Sequence, residues 1–246
     1  MKNISLRGGE FLLREVEPSQ VFTPEDFTSE DLAIAQAAED FVRGEVQTRN
    51  AEIEKQAEGV TVGLLKKAGE LGLLSGDLPE AYGGLNLSKT TSTLLAEKMS
   101  LQASFAVSWG AHVGIGTLPI LFFGTPEQKQ KYLPKLATGE MIAAFSLSEA
   151  NCGSDPLSAR TKATLSPDGK YYLLNGEKMW TTNAGWADLF IVFAKVDGEK
   201  FTAFIVERNF PGVSVGREEH KLGIKGSSTR RVILENAQVP VENVLH

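Results

Sequence analysis

The sequence contains few residues that could cross-link the chain or hold a metal ion. Among 246 residues there is one cysteine, Cys152, and there are three histidines, at positions 112, 220 and 246. A single cysteine excludes an internal disulfide and is typical of a reducing compartment. No second cysteine or histidine stands at ligand spacing from any of these residues, so we expect no metal site.

Basic residues are not in excess either. The chain has 25 Lys and Arg against 31 Asp and Glu, a formal net charge of -6. Residues 1–142 hold 19 acidic and 13 basic residues, net -6, whereas residues 143–246 hold 12 of each, net 0. Neither part offers the basic stripe that neutralises a phosphate backbone, so nucleic acid is not an expected partner.

Signals for membranes and export are also scarce. No apolar run in the sequence approaches the length needed to span a bilayer, so we expect no transmembrane segment. The first residues, Met1 to Arg7, lack the apolar centre of a secretory signal, and Glu10, Glu15 and Glu17 are acidic residues that a transit peptide would avoid. The expected location is the cytoplasm.

The hydrophobic pattern divides the chain in two. After an irregular arm over residues 1–28, apolar residues recur at three- and four-residue steps, and Thr125-Pro126-Glu127-Gln128 is a strong helix start. From about residue 143 the period becomes two, and Asn175-Gly176 between apolar runs predicts a β-hairpin. We predict an α+β chain with an all-helical N-terminal domain (29–142) followed by a β-barrel middle domain (143–246).

Motifs of common enzymes are mostly missing. Gly114-Ile115-Gly116 lacks the third glycine and the preceding strand of a dinucleotide loop, and no Walker lysine sequence is present. His112 is next to an apolar helix, which indicates a structural or ligand-lining residue.

Two segments of the β half are unusual. The first, Phe145 to Asp155, leads from a short strand into a loop of small residues whose N–H groups and hydroxyls could face an anionic or polar ligand. The second, Lys178 to Gly185, carries Trp180, which could stack on a planar ring, and two threonines. Taken alone, each segment is better explained as an ordinary strand or turn.

Taken together, the two segments resemble the acyl-CoA dehydrogenase family of flavoproteins. Ser148-Glu149-Ala150-Asn151-Cys152-Gly153-Ser154-Asp155 matches the family's flavin loop, with Ala150 in place of its proline, and Lys178 to Asn183 matches its second flavin segment, Lys-x-Trp-Ile/Thr-Thr/Ser-Asn. The resemblance extends from about Ser29 to the end of the chain. Its further matches are Phe123-Gly124-Thr125, Gln128-Lys129, Tyr132-Leu133-Pro134, Lys221 to Lys225 and Val239 to Leu245.

The resemblance implies a function and a cofactor. Members oxidise a fatty acyl-CoA to the trans-2-enoyl-CoA with FAD, pass electrons to electron-transfer flavoprotein and form homo-oligomers. Ser154 would also meet the acyl-CoA, Trp180 would cover the flavin ring and Thr182 would reach its N5 region. The FAD contacts that it implies are Phe145, Leu147, Ser148, Gly153, Ser154, Trp180, Thr181 and Thr182.

The resemblance also implies what this chain lacks. The family's helical C-terminal domain, which carries its catalytic glutamate, would follow residue 246, so we assign no catalytic residue here and expect the chain alone to be inactive. Glu149 matches a loop residue and not the base. A stretch from Ala103 to Gly116 is the expected wall of the acyl pocket, and the arm around Arg7 to Leu13, with Phe193-Ala194-Lys195, resembles the longer-chain branch.

Two alternatives to a dehydrogenase remain open from the sequence. One is a non-catalytic binding or assembly module that has kept the fold. The other is a flavoprotein similar to the acyl-CoA oxidases, which differ in the access of oxygen to the reduced flavin. Nothing in the motifs separates an oxidase from a dehydrogenase.

Overall fold

The computed structural model describes residue 6 and residues 9–245. Arg7 and Gly8 of the predicted arm lie outside the described residues, and residues 10–26 form three short 3₁₀ turns. The helical part that follows contains α1 (Ser29–Phe41), α2 (Asn50–Glu54), α3 (Val60–Glu70), α4 (Lys89–Met99), α5 (Ala103–Gly110), α6 (Leu118–Phe123) and α7 (Pro126–Thr138). The predicted order of a helical part before a β part is therefore confirmed.

Side-chain caps fix where the helices begin. Thr28 accepts a hydrogen bond from the Asp31 N–H at 3.2 Å, and the Asp31 carboxylate accepts one from the Thr28 N–H at 2.9 Å. Thr125 and Gln128 make the same reciprocal pair at the start of α7. Such boxes satisfy N–H groups that the first turn of a helix leaves without partners. Helix α7 ends at Gly139, whose φ of 73° suits glycine.

Helices α5 and α6 belong to one longer helical run, Ala103–Phe123, whose middle is a π-helix at Ala111–Gly116. The run is 21 residues long with a mean hydropathy of 1.4, which is enough to cross a membrane by length and composition. The expectation that no apolar run is this long was wrong, because no charged residue occurs between Lys98 and Glu127. Buried core helices meet the same criterion, and the Trp109 indole N–H donates to the Leu73 carbonyl inside the helical core.

The β part is one eight-stranded sheet. Its order is β6-β7-β3-β2-β4-β5-β8, and β1 pairs with β4 in parallel. Within the described residues the end strands β6 and β8 do not pair with each other, so the expected barrel is not closed by hydrogen bonds. The strands are β1 (Ala143–Ser146), β2 (Lys162–Leu165), β3 (Tyr171–Thr182), β4 (Leu189–Val196), β5 (Lys200–Glu207), β6 (Val213–Glu218), β7 (Thr229–Pro240) and β8 (Val244–Leu245).

The two faces of this sheet bury different neighbours. On β4, Phe190 and Val192 face a core made by the sheet itself. The alternate residues Leu189 and Ile191 pack with Ile120 of α6 and with α7. Because side chains alternate along a strand, a continuous apolar strand such as β4 can support both cores. The sheet is thereby fixed against the helical part.

The hairpin predicted at Asn175-Gly176 was wrong. Strand β3 continues through both residues, and the register with β7 shifts between Leu174 and Gly176. A Cβ on Gly176 would lie 2.4 Å from the hydroxyl oxygen of Thr161, so this glycine is needed for close approach within the sheet. The turn between β2 and β3 lies earlier, where Gly169 has a φ of 71°.

Candidate functional site

The two unusual segments of the sequence lie side by side. The Met179 N–H donates to the Ser148 carbonyl at 2.8 Å, which joins β3 to the loop after β1. The Ser146 and Thr181 hydroxyls share a hydrogen bond of 3.0 Å in the buried interior. Segments separated by about thirty residues of sequence thus form one surface.

A buried ion pair lies under this surface. The Lys178 ammonium is 2.7 Å from a Glu149 carboxylate oxygen, and the two side chains are 0% and 6% exposed. Glu149 also accepts hydrogen bonds from the Arg160 N–H at 2.7 Å and from the Thr161 N–H and hydroxyl at 3.0 and 2.6 Å. Burial alone would raise the pKa of Glu149, but Lys178 and the other donors lower it to about 2. A carboxylate held in this way is a poor proton acceptor.

Trp180 is presented on the surface by an unusual backbone. Its φ is 57°, in the left-handed region that a bulky residue rarely adopts, and its side chain is 58% exposed. Residues 179 and 180 lie in an irregularity of the β3–β7 register between Lys178 and Thr181. An exposed aromatic ring carried on a strained backbone is an arrangement found at functional sites.

The remaining predicted contacts differ in how far they are exposed. Phe145, Leu147 and Ser148 are half-buried, and Thr182 is half-buried at the end of β3. Gly153 and Ser154 are exposed, and a Cβ on Gly153 would meet no protein atom within 4 Å. The side chain of Thr181 is buried against Ser146, which leaves only its backbone for a ligand. No ligand is present to test these contacts, so they stay predictions.

Three phenylalanines of the sheet form a feature that the sequence did not reveal. Phe145 of β1 lies 5.2 Å from Phe193 of β4, and Phe193 lies 5.4 Å from Phe201 of β5, measured between ring centroids. The rings make a half-buried apolar wall across β1, β4 and β5, and Phe145 and Phe193 pack against the core between the sheet and helices α6 and α7. Their alignment depends on strand register, which periodicity alone does not give.

The stretch predicted to line the acyl pocket forms helix α5 and the π-helix. Phe105 and Trp109 are buried in the helical core, so only part of this stretch is open to a ligand. Its uncovered side holds Val107, 38% exposed, together with Gly110 and Gly114, beside which a Cβ would meet nothing within 4 Å. Small residues on this side leave room for a flexible apolar ligand.

Two buried polar side chains connect the helices to the site. The Asn183 amide donates to the Ser108 carbonyl at 2.8 Å. The Ala143 N–H donates to Nδ1 of His112 at 3.0 Å, so Nε2 carries the proton that is donated to the Leu136 carbonyl. Burial lowers the pKa of His112 to about 4, so the ring is neutral near pH 7. The prediction of a structural His112 agrees with these bonds.

The residues present fit a planar, partly polar cofactor. An exposed indole face, the hydroxyls of Ser148 and Ser154, and the open space at Gly153 lie on the joined segments. A flavin needs an aromatic or apolar neighbour for its ring and donors for its polar edge. Among the described residues no group of three or more His, Cys, Asp or Glu could hold a metal ion.

Comparisons with known proteins agree with this geometry. The acyl-CoA dehydrogenase N-terminal domain family matches residues 28–140, and the acyl-CoA dehydrogenase middle domain family matches residues 144–237. A probable acyl-CoA dehydrogenase of Bacillus subtilis is 57% identical over 239 residues, which are 97% of this chain and 40% of that protein. The mitochondrial very long-chain specific acyl-CoA dehydrogenase of Rattus norvegicus is 46% identical over 80% of this chain and 31% of its own length.

The fold of a solved relative is also close. The acyl-CoA dehydrogenase of Bacillus anthracis, crystallised as a complex with FAD, superposes with a TM-score of 0.95 at 56% identity, covering 98% of this chain and 41% of that chain. The chain therefore spans about two fifths of the length of these bacterial relatives. With two family matches over most of its residues, the chain belongs to the acyl-CoA dehydrogenase family, a family of FAD-dependent oxidoreductases.

Proposed function

We propose that this chain provides the flavin-binding surface and one acyl-pocket wall of an enzyme that oxidises a fatty acyl-CoA to the trans-2-enoyl-CoA. The observation that carries the proposal is the convergence of the two motif segments around the exposed, strained Trp180. FAD, when bound, supplies the acceptor for the hydride of the substrate.

The cofactor would be held by the residues that the resemblance assigns. Trp180 would cover the ring face, Ser148 and Ser154 would donate hydroxyl hydrogen bonds, and Gly153 would let the backbone approach closely. The relative from Bacillus anthracis, 56% identical, was solved with FAD, which supports the same cofactor here. Thr181 would contribute through its backbone, because its hydroxyl is used by Ser146.

The substrate would lie along apolar surfaces of this chain. The wall of Phe145, Phe193 and Phe201 and the uncovered side of α5 at Val107 and Gly110 are suited to a long aliphatic chain. A substrate from the longer-chain range is favoured by the similarity to the very long-chain specific relative of Rattus norvegicus. We propose electron-transfer flavoprotein as the electron acceptor and a homo-oligomer as the assembly, as the family resemblance implies.

The proton at the α-carbon needs a carboxylate within hydrogen-bond reach. Glu149 does not meet this need, because it is buried and paired with Lys178. We therefore assign no base to this chain, and we expect its role to be binding and positioning. We therefore also expect that the chain by itself does not oxidise acyl-CoA.

A chimera tests the proposal. Residues 1–245 of this chain would replace the matching part of the Bacillus subtilis relative, which is 57% identical, and keep the rest of that protein. The purified chimera, loaded with FAD, would be titrated without oxygen with acyl-CoA esters of increasing chain length while the flavin absorbance is recorded. We expect bleaching with long-chain esters and none with this chain alone.

Two results would contradict the proposal. A folded chimera that binds FAD but is not bleached by any acyl-CoA would favour the non-catalytic binding module. Bleaching by the separate chain would mean that a working base lies within its 246 residues. Rapid reoxidation of the bleached chimera by oxygen would instead favour an oxidase.

A further inference from the structure

Buried polar side chains anchor the segment that carries Trp180 at both of its ends. On one side, the Lys178 ammonium donates to the Leu147 carbonyl at 3.1 Å and to Glu149 at 2.7 Å. On the other side, the Asn183 amide donates to the Ser108 carbonyl of α5 at 2.8 Å. The strained Trp180 backbone lies between these two anchors.

The loop after β1 is anchored by the same pair. Glu149 forms two backbone hydrogen bonds with Cys152, at 2.9 and 3.2 Å, which close the loop on itself. Its carboxylate accepts from the Arg160 and Thr161 backbone N–H groups, which fix the loop to the start of β2. The ion pair with Lys178 therefore joins two segments that are each already tied to the sheet.

A buried ion pair adds little stability over an apolar pair in its place, although losing the charge of one partner alone is costly. Moving two charges out of water costs as much as their attraction returns, and an apolar pair of similar volume often serves equally well. What a buried, fully hydrogen-bonded pair provides is one defined geometry. The 0% and 6% exposure of Lys178 and Glu149 places this pair in that class.

The backbone at Trp180 needs such a device. A non-glycine residue at φ 57° persists only when its surroundings over-determine it. Strand β3 pairs with β7 at Lys178 and again at Thr181, and the residues between them make no register pair. Without anchors on both sides, β3 could pair regularly, and a shift of one residue would turn the indole to the other face of the sheet.

We propose that Glu149, Lys178 and Asn183 form a clamp that holds the loop after β1 and the Trp180 segment in their binding geometry before the cofactor arrives. The inference rests on the proposed function, since it concerns the flavin-binding surface. The three residues are positioning residues, because they act through the loop and through Trp180. Preorganisation of this kind raises affinity by removing the cost of ordering the site.

The variants are chosen so that the chain still folds. Lys178→Met combined with Glu149→Gln removes both charges and leaves no unpaired ion in the interior. Asn183→Gly removes the side-chain amide, and glycine tolerates the positive φ of 67° at this position. The matched control is Lys131→Met with Glu207→Gln, since this pair joins α7 to β5 at 2.9 Å and lies outside the predicted flavin contacts. All three proteins are compared with the unchanged chain.

Hydrogen exchange followed by mass spectrometry on the chain without FAD gives the first result. In the Glu149/Lys178 variant we expect the amides of residues 147–154 and 178–183 to exchange together about tenfold faster. This corresponds to a decrease of about 1.4 kcal/mol in the free energy of local opening. Residues 189–196 keep their protection, and the control variant affects only α7 and β5. Unchanged exchange in the two segments, or equal acceleration over the whole sheet, would overturn the clamp.

A titration with FAD gives the second result. We expect the Glu149/Lys178 and Asn183 variants to bind FAD about tenfold more weakly, the usual effect of removing residues that orient a ligand shell, and the control to bind as the unchanged chain does. Faster exchange in the two segments together with unchanged FAD affinity would refute the proposal that the clamp positions the cofactor site. If the unchanged chain binds no FAD, the proposed function loses its cofactor, and the exchange result alone decides whether the clamp exists.

Discussion

The left-handed backbone at Trp180 allows a stability measurement that separates strain from ligand binding. An L-residue in this region costs about 1–2 kcal/mol, which glycine does not incur. Glycine in turn loses about 0.5–1 kcal/mol more on folding because its unfolded chain is freer. With Trp180 at φ 57°, Trp180→Gly should therefore be more stable than Trp180→Ala by about 0.5–1 kcal/mol. The loss of the indole is common to both variants and cancels in the comparison.

Tyr171 on the same strand provides the control. It is also an exposed aromatic residue of β3, 37% exposed, and it does not have a positive φ. At this position Tyr171→Gly should be less stable than Tyr171→Ala by about 0.5–1 kcal/mol, which is the opposite sign. Urea unfolding followed by circular dichroism measures all four variants. If glycine is also the less stable choice at position 180, the strain argument is refuted.

Three further predictions concern stability and pH, and urea unfolding tests each. Burial lowers the pKa of His112 from 6.5 to about 4, so as the pH falls the unfolded chain takes up a proton before the folded chain does. About 3 kcal/mol of folding stability is therefore lost between pH 6.5 and pH 4. The variant His112→Gln should not show this pH dependence. The pKa of Glu149 is lowered from 4.5 to about 2, so the ionised carboxylate contributes about 3 kcal/mol of folding stability above pH 4.5, and this is lost between pH 4.5 and pH 2. If the stability of a Glu149→Gln variant falls with acid in the same way as that of the unchanged chain, this prediction is contradicted. Gly110→Ala should stabilise the chain by about 0.5–1 kcal/mol, because the added Cβ meets nothing within 4 Å. Gly116→Ala should destabilise the chain by about 1–3 kcal/mol, because the added Cβ would lie 2.7 Å from the Cβ of Ala143. Changes of the same sign in the two variants would be inconsistent with the packing.

The features that sequence predicted well are local ones. The change of period near residue 143 separates helices from strands, because amphipathic helices and strands repeat with different periods. Thr125 with Gln128 forms the expected cap, since a capping box needs only residues three apart. The two segments of the predicted flavin surface were found by their order and spacing, and the structure brings them together.

The features that sequence did not predict depend on distant contacts. Asn175-Gly176 has the residues of a tight turn, but strand β7 pairs with β3 on both sides of it and Thr161 leaves room only for glycine, so the strand continues. The positive φ of Trp180 follows from anchors contributed by the loop after β1 and by α5. The stack of Phe193 on Phe201 depends on the register of β4 and β5.

The most direct test of the account is an FAD titration of three proteins: the unchanged chain, Trp180→Ala and Tyr171→Ala. Each side chain is an exposed aromatic residue of β3, but only Trp180 lies on the joined segments. Stacking on a ring contributes about 0.5–1.5 kcal/mol beyond the area that it buries, so we predict saturable binding that Trp180→Ala weakens about tenfold and Tyr171→Ala leaves unchanged. Equal affinities for all three proteins, or no saturable binding by the unchanged chain, would contradict the assignment of this surface to the flavin.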